Sequence, residues 1–125
     1  MSDPKKSVVL IVDDEPSLCE ILAFNLENAG YETVIANGGY QALEIVKSRA
    51  IDVIVSDIRM PNGSGIELLD SIKKIMPDKP VLLFITAYAD LSVDTMYKKG
   101  AAAVLGKPVK PVELLAEIER ALRAS

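Results

Sequence analysis

The polar side chains that could do chemistry in this sequence stand where apolar runs end. Asp13 and Asp14 follow one such run, Asp57 and Thr86 end two others, and Lys107 comes just after a fourth. Each has an ordinary structural role when taken alone, as a helix cap, a strand-end hydroxyl or a surface charge. The fact that all five residues stand at the ends of apolar runs indicates that they share one site.

Three carboxylates brought together repel one another, so they must take up a proton or bind a cation. The sequence has no histidine and one cysteine, which leaves oxygen atoms as the available ligands. Oxygen ligands favour Mg²⁺, with Mn²⁺ as the alternative, over zinc. Lys107 would face the anion that arrives with the metal. A metal, a carboxylate and an ammonium are the groups needed to move a phosphoryl group onto an aspartate.

The elements that must position these residues alternate along the chain. Continuous apolar runs without polar alternation are typical of strands buried on both faces, and helical spacing follows each run. We predict strands over residues 7–12, 33–36, 52–56, 81–85 and 102–105, and helices over 16–29, 41–48, 64–76, 91–99 and 111–122. The apolar residues at helical spacing include Ile21 and Val112, and Ile75 belongs to the predicted apolar face of the third helix.

Five strand-then-helix units joined by short turns predict an α/β fold with a parallel sheet and helices on both faces, because crossovers are right-handed. The carboxyl ends of parallel strands lie at one edge, so the five polar side chains converge there if the strands are adjacent. Ser64 and Glu67 have the spacing of a capping box at the start of the third helix.

Composition sets the remaining limits. A chain of 125 residues, half hydrophobic and with a quarter charged, suits one globular domain. Its net charge of −4 gives no electrostatic reason to expect nucleic-acid or membrane binding. No apolar run approaches the ~20 residues that cross a bilayer. The lone Cys19 suits a reducing compartment, so we expect the cytoplasm.

The ordered set of motifs resembles the receiver domains of two-component response regulators, including the chemotaxis regulators. It comprises Asp13-Asp14, Asp57-Ile58-Arg59-Met60-Pro61, Thr86-Ala87 and Lys107-Pro108. The likeness covers residues 7–123, after an N-terminal tail of residues 1–6. It implies a flavodoxin-like, doubly wound five-stranded sheet with strand order 2-1-3-4-5.

The resemblance also implies a metal site. Asp14, Asp57 and the backbone carbonyl of Arg59 would bind Mg²⁺, with Asp13 acting mainly through water. The Lys107-Pro108 peptide would be cis, a geometry that proline permits.

The same resemblance implies the roles in phosphoryl transfer. Asp57 would accept a phosphoryl group from a phosphohistidine on a sensor histidine kinase or a phosphotransfer protein. Lys107 would contact the phosphoryl oxygens, and Thr86 would move to hydrogen-bond one of them. The event would switch the surface formed by the fourth helix, fifth strand and fifth helix, and could drive homodimerisation. The domain would assist its own phosphorylation and hydrolysis without turning over an outside substrate.

Some positions depart from the family pattern. Val104 stands where an aromatic residue usually swings inward, and Val109 stands where phenylalanine often follows Lys-Pro. Tyr88 is either a substitute ring or a solvated loop residue. Arg59 and Tyr88 flank the expected acyl phosphate, where they either restrict the attacking water and prolong its lifetime or simply extend into solvent.

Three other functions compete with the signalling module. An aspartate-nucleophile phosphatase of the haloacid dehalogenase type usually has Asp-x-Asp after the first strand, whereas this chain has Asp13-Asp14-Glu15. An interaction domain free of phosphorylation need not cluster carboxylates. An FMN carrier needs open backbone donors where this first turn is acidic. The domain either stands alone or belongs to a longer protein with an output domain.

Overall fold

Ten elements alternate along the computed structural model, which describes residues 6–87 and 93–124. The strands are β1 Val8–Val12, β2 Glu32–Ala36, β3 Val53–Ser56, β4 Val81–Thr86 and β5 Ala103–Gly106. The helices are α1 Pro16–Asn28, α2 Gly39–Ser48, α3 Gly65–Ile75, α4 Val93–Lys98 and α5 Pro111–Ala124. The predicted α/β alternation is confirmed, although Leu91, where the fourth helix was expected to begin, lies outside the described residues.

The five strands form one parallel sheet in the order β2-β1-β3-β4-β5, as the resemblance implied. Val12 pairs with Ser56, and Ser56 pairs with Phe84, so the central strands end side by side. Thr86 pairs with Gly106 on the next strand. The residues that follow these strands therefore emerge along one edge of the sheet.

The sheet separates two apolar cores, because alternate side chains of each strand point to opposite faces. In β1, Leu10 packs on the side of α2, α3 and α4, whereas Val9 and Ile11 pack on the side of α1 and α5. All five side chains of β1 are buried. The absence of polar alternation in the apolar runs follows directly from this double burial.

Three of the apolar residues found at helical spacing are exposed rather than buried. Ile21 is 59% exposed, Ile75 is 48% exposed and Val112 is 79% exposed. A helix lying on a sheet buries a single stripe, and on α1 that stripe consists of Cys19, Leu22, Ala23 and Leu26. Within the described residues, no helix has the length and apolarity required to cross a membrane.

Candidate functional site

Asp57 follows directly after β3 and remains tied to the sheet. Its backbone N–H donates to the Val12 carbonyl at 3.0 Å, which continues the β1–β3 ladder. Its Oδ1 accepts from the Ile58 backbone N–H at 2.6 Å, and the residue is 8% exposed. The carboxylate is therefore fixed at the carboxyl edge of the sheet, with one oxygen hydrogen-bonded to the backbone of the next residue.

Asp13 and Asp14 bring two further carboxylates to the same place. The Asp13 N–H donates to the Ala36 carbonyl, and Asp13 Oδ1 accepts from the Glu15 N–H at 3.0 Å. Asp13 is buried and Asp14 is exposed. One oxygen each from Asp13, Asp14 and Asp57 lie within 4.8 Å of one another. Three carboxylate oxygens with one open side fit a hard, hydrated cation such as Mg²⁺.

Lys107 supplies a positive charge between two of these carboxylates. Its Nζ lies 2.9 Å from Asp57 Oδ2, 3.1 Å from Asp13 Oδ2 and 4.0 Å from Glu15 Oε1. Burial of the ammonium lowers the pKa of Lys107, but the hydrogen bonds to Asp57 and Asp13 and the negative charges of these two carboxylates together raise it more, so the net pKa is raised. The side chain therefore stays protonated at neutral pH.

Thr86 and Lys107 are linked through the backbone. Thr86 is buried at the last position of β4, and its carbonyl accepts from the Lys107 N–H at 2.9 Å. The Lys107-Pro108 peptide is cis, as the resemblance implied. Arg59 is exposed in the segment between β3 and α3, whereas Tyr88 lies outside the described residues.

Glycines around the segment after Asp57 form a contact that the sequence reasoning missed. The Gly39 N–H donates to the Gly63 carbonyl at 2.9 Å, and the Gly65 N–H donates to the Ile58 carbonyl at 2.8 Å. The predicted capping box is confirmed, with Ser64 and Glu67 exchanging hydrogen bonds at 3.1 Å. The residue types of Asn37-Gly38-Gly39 and Asn62-Gly63 indicate two turns in the sequence. Nothing in the sequence indicates that the two turns contact each other.

Tyr97 is a second residue that the sequence reasoning missed. Val104 is half-buried, and its backbone N–H donates to the Tyr97 hydroxyl at 3.3 Å. The ring comes from α4, while the family pattern expects it on β5. An aromatic residue thus lies at this surface despite the valine in the usual position.

Cys19 links α1 to the acidic turn. Its buried thiol donates a weak hydrogen bond to the Asp13 carbonyl at 3.5 Å. Burial, with the nearby Asp13 charge, raises the pKa of Cys19 to about 11. The thiol is therefore protonated and has a structural role.

A groove of about 540 Å³ adjoins the site between α1 and the segment that follows β5. Its apolar walls include Leu18 and Ile21 from one side and Pro108 and Val109 from the other. Asp57 is also part of the lining, together with Asp13 and Lys107. The exposure of Ile21 is thus part of a continuous surface that leads to the carboxylates.

Comparison with known proteins gives consistent matches. The family model described as response regulator receiver domain matches residues 9–119. The transcriptional regulatory protein ZraR of Escherichia coli O157:H7 is 43% identical over 117 residues, which are 91% of this chain and 26% of ZraR. The chain therefore spans about a quarter of the length of that curated relative.

Two solved structures are similar over nearly the whole chain. A response regulator receiver domain protein from Clostridium thermocellum has a TM-score of 0.88 and 32% identity, covering 94% of this chain and 95% of its own. TrrA from Thermotoga maritima, solved in complex with Mg(2+)-BeF, has a TM-score of 0.85 and 32% identity, covering 93% and 99%. With this fold and a family match across most of its length, the chain belongs to the response regulator receiver domains of two-component signalling.

Proposed function

We propose that this domain accepts a phosphoryl group on Asp57 from a phosphohistidine, in a reaction that requires Mg²⁺. The observation that carries the proposal is the pairing of Asp57 with Lys107 beside the cluster of three carboxylates. A buried carboxylate that only stabilised the fold would need its lysine but not two further carboxylates within 4.8 Å.

The transfer balances as a substitution at phosphorus. A carboxylate oxygen of Asp57 forms a bond to phosphorus while the bond from phosphorus to the imidazole nitrogen of the donor breaks. The imidazole keeps that electron pair, so the product is an acyl phosphate on Asp57. The Lys107 ammonium, already 2.9 Å from Asp57 Oδ2, offsets negative charge on the transferred oxygens. We assign the Thr86 hydroxyl the role of hydrogen-bonding one of them afterwards.

The metal site would use this chain's own oxygen atoms. Asp14 and Asp57 are the proposed direct carboxylate ligands, with the Arg59 carbonyl as the third, and Asp13 in the same cluster would act mainly through water. Bound Mg²⁺ would supply positive charge against the phosphoryl oxygens. The complex of the related TrrA with Mg(2+)-BeF supports the same assignment for this chain.

The proposed partner is a sensor histidine kinase or a phosphotransfer protein. Its phosphoimidazole must reach Asp57, and the apolar groove containing Ile21 and Val109 leads to that residue. We assign the groove to this donor because its lining is continuous with the acceptor carboxylate. The surface of α4, β5 and α5 would carry the response onward, with homodimerisation as one outcome. We expect this exchange to occur in the cytoplasm.

The test is formation of the phosphoryl adduct. The protein is incubated with Mg²⁺ and acetyl phosphate, and the modified residue is located by mass spectrometry after borohydride trapping. We expect one adduct, on Asp57, that disappears with EDTA and in Asp57→Asn. Asp78→Asn, which changes an exposed aspartate outside the cluster, should retain it. Absence of the adduct, or its persistence in Asp57→Asn, would refute the proposal.

A further inference from the structure

We propose that Gly38 and Gly39, at the start of α2, are positioning residues for the proposed metal site. They act on the acceptor loop, defined here as residues 58–64, which contains Arg59. The inference rests on the proposed function, because it assumes that the Arg59 carbonyl binds Mg²⁺. No role in metal binding follows from the resemblance for these two glycines.

Two hydrogen bonds join α2 to the acceptor loop. The Gly39 N–H donates to the Gly63 carbonyl at 2.9 Å, and the Tyr40 N–H donates to the Asn62 carbonyl at 3.1 Å. The first amides of a helix have no partner within the helix. The N-cap residue Gly38 provides no side-chain cap, so the acceptor loop itself satisfies the amides. The α2 terminus and the loop are therefore one packed unit.

The contact is too close for any side chain. A Cβ on Gly38 would lie 2.5 Å from the Asn62 carbonyl oxygen, and a Cβ on Gly39 would lie 2.7 Å from that of Gly63. These are backbone atoms, which cannot rotate away as a flexible side chain can. Both glycines are buried. A methyl group at either position must displace the loop, the helix or both.

Backbone conformation does not explain the glycine at position 38. Gly38 has φ −174° and ψ 171°, which is extended backbone that any residue adopts. Gly39 is the first residue of the helix, where alanine is favoured by intrinsic propensity. The reason for glycine at both positions is therefore the close approach to the acceptor loop.

The other end of the loop is held equally firmly. The Gly65 N–H donates to the Ile58 carbonyl at 2.8 Å, and a Cβ on Gly65 would lie 2.3 Å from the Asp57 carbonyl oxygen. A displacement imposed at Asn62 must then be absorbed between Ile58 and Pro61, which includes Arg59. Mg²⁺ requires near-ideal octahedral geometry, so a small shift of one ligand carbonyl weakens binding.

The test measures Mg²⁺ binding by the unphosphorylated protein, with calorimetry and with backbone amide shifts around Asp57. We expect Gly38→Ala to raise the Kd for Mg²⁺ about tenfold, the usual scale for residues that support metal ligands. The control is Gly30→Ala. Gly30 has φ +99° and open space around a Cβ, so alanine there costs stability without touching the loop.

A second pair of variants serves if Gly38→Ala does not fold. Tyr40→Pro removes the N–H that donates to Asn62 at a helix position where proline is tolerated, and Tyr40→Ala removes the ring but keeps that N–H. We expect Tyr40→Pro to bind Mg²⁺ several-fold more weakly than Tyr40→Ala.

The outcomes separate this inference from the proposed function. Wild-type Mg²⁺ affinity in folded Gly38→Ala, or an equal loss in Gly30→Ala, would refute the positioning role while the wild-type adduct still formed on Asp57. If the wild type binds Mg²⁺ with no adduct on Asp57, the proposed function fails, and a Kd that still rises in Gly38→Ala alone supports the positioning role.

Discussion

Replacing Asp14 by asparagine should stabilise the metal-free domain. The Asp14 carboxylate lies within 4.8 Å of carboxylate oxygens of Asp13 and Asp57. Among the described residues it has no hydrogen bond or ion pair, whereas the other two carboxylates both bond to Lys107. Asp14→Asn therefore removes repulsion without breaking a bond that holds the fold.

The magnitude follows from the distance and the solvent exposure. Two unit charges 4.8 Å apart repel by about 3.5 kcal/mol at an effective dielectric constant near 20, and by about 0.9 kcal/mol in water. Because Asp14 is exposed, water screens its charge, and the repulsion energy lies nearer the lower end of this range. The substitution relieves two such repulsions, one with Asp13 and one with Asp57. It also removes the attraction between Asp14 and the Lys107 ammonium, which we take to cancel about one of them. We expect the free energy of unfolding to rise by about 1–2 kcal/mol in EDTA.

Magnesium should reduce or cancel this stability advantage of the variant. A ligand present at 100 times its Kd stabilises the folded state by about 2.7 kcal/mol, and a tenfold weaker ligand at the same concentration stabilises it by about 1.4 kcal/mol. Loss of the Asp14 carboxylate should thus cost the variant at least about 1.3 kcal/mol of Mg²⁺-dependent stability.

The assay is urea unfolding at low ionic strength, in EDTA and in excess Mg²⁺, with Asp78→Asn as a surface control. Asp78 is exposed and lies outside the carboxylate cluster, so its variant should match the wild type in both conditions. An Asp14→Asn variant that is no more stable than the wild type in EDTA would refute the repulsion argument. Undiminished stabilisation by Mg²⁺ would refute the role of Asp14 as a ligand.

Further predictions concern single residues. Lys107→Gln should slow phosphorylation by acetyl phosphate about 10- to 100-fold, since a charge-assisted hydrogen bond contributes about 1.5–3 kcal/mol; an unchanged rate in stopped-flow assays would exclude its role. The pKa of Cys19 is raised to about 11 from 9.0, so the stability that its neutral buried thiol contributes is complete below pH 9 and is lost as the pH rises towards 11. Urea titrations over this range should show a smaller decrease in the free energy of unfolding for Cys19→Ala than for the wild type. Tyr97→Phe should accelerate hydrogen exchange of the Val104 amide about 2- to 5-fold, measured by NMR against unchanged amides in β1. Arg59→Ala should shorten the lifetime of the acyl phosphate if its side chain restricts water; equal decay rates of the adduct would show that it only extends into solvent.

The strands were predictable because both of their faces are buried. Val8 to Val12 are uniformly apolar, and double burial in a parallel sheet requires that pattern. The convergence of Asp13, Asp14 and Asp57 followed from the same reasoning, since parallel strands share their carboxyl edge. Strand order came from resemblance alone, because apolar strands carry no mark of which neighbour they pair with.

Helical faces were less predictable at the ends of the sheet. Ile21 and Val112 occupy apolar positions in the helical period, but they lie beyond the stripe that contacts the strands. Periodicity reports which residues share a face and not how far the sheet extends beneath them. Around Ile21 the exposed apolar surface borders the groove that leads to Asp57, so it coincides with the proposed partner surface.

The contact between Tyr97 and Val104 shows the limit of reasoning from a family pattern. Valine at position 104 indicates the loss of a ring from β5, and no spacing rule connects that position with a residue on α4. The structure places the Tyr97 hydroxyl on the Val104 backbone amide, which a side-chain pattern cannot report. Because the hydrogen bond uses the backbone of β5, it does not depend on the side chain at position 104. Although valine replaces the usual aromatic residue at position 104, this surface therefore keeps an aromatic side chain. Tyr97 supplies it from α4, and its hydrogen bond joins α4 to β5.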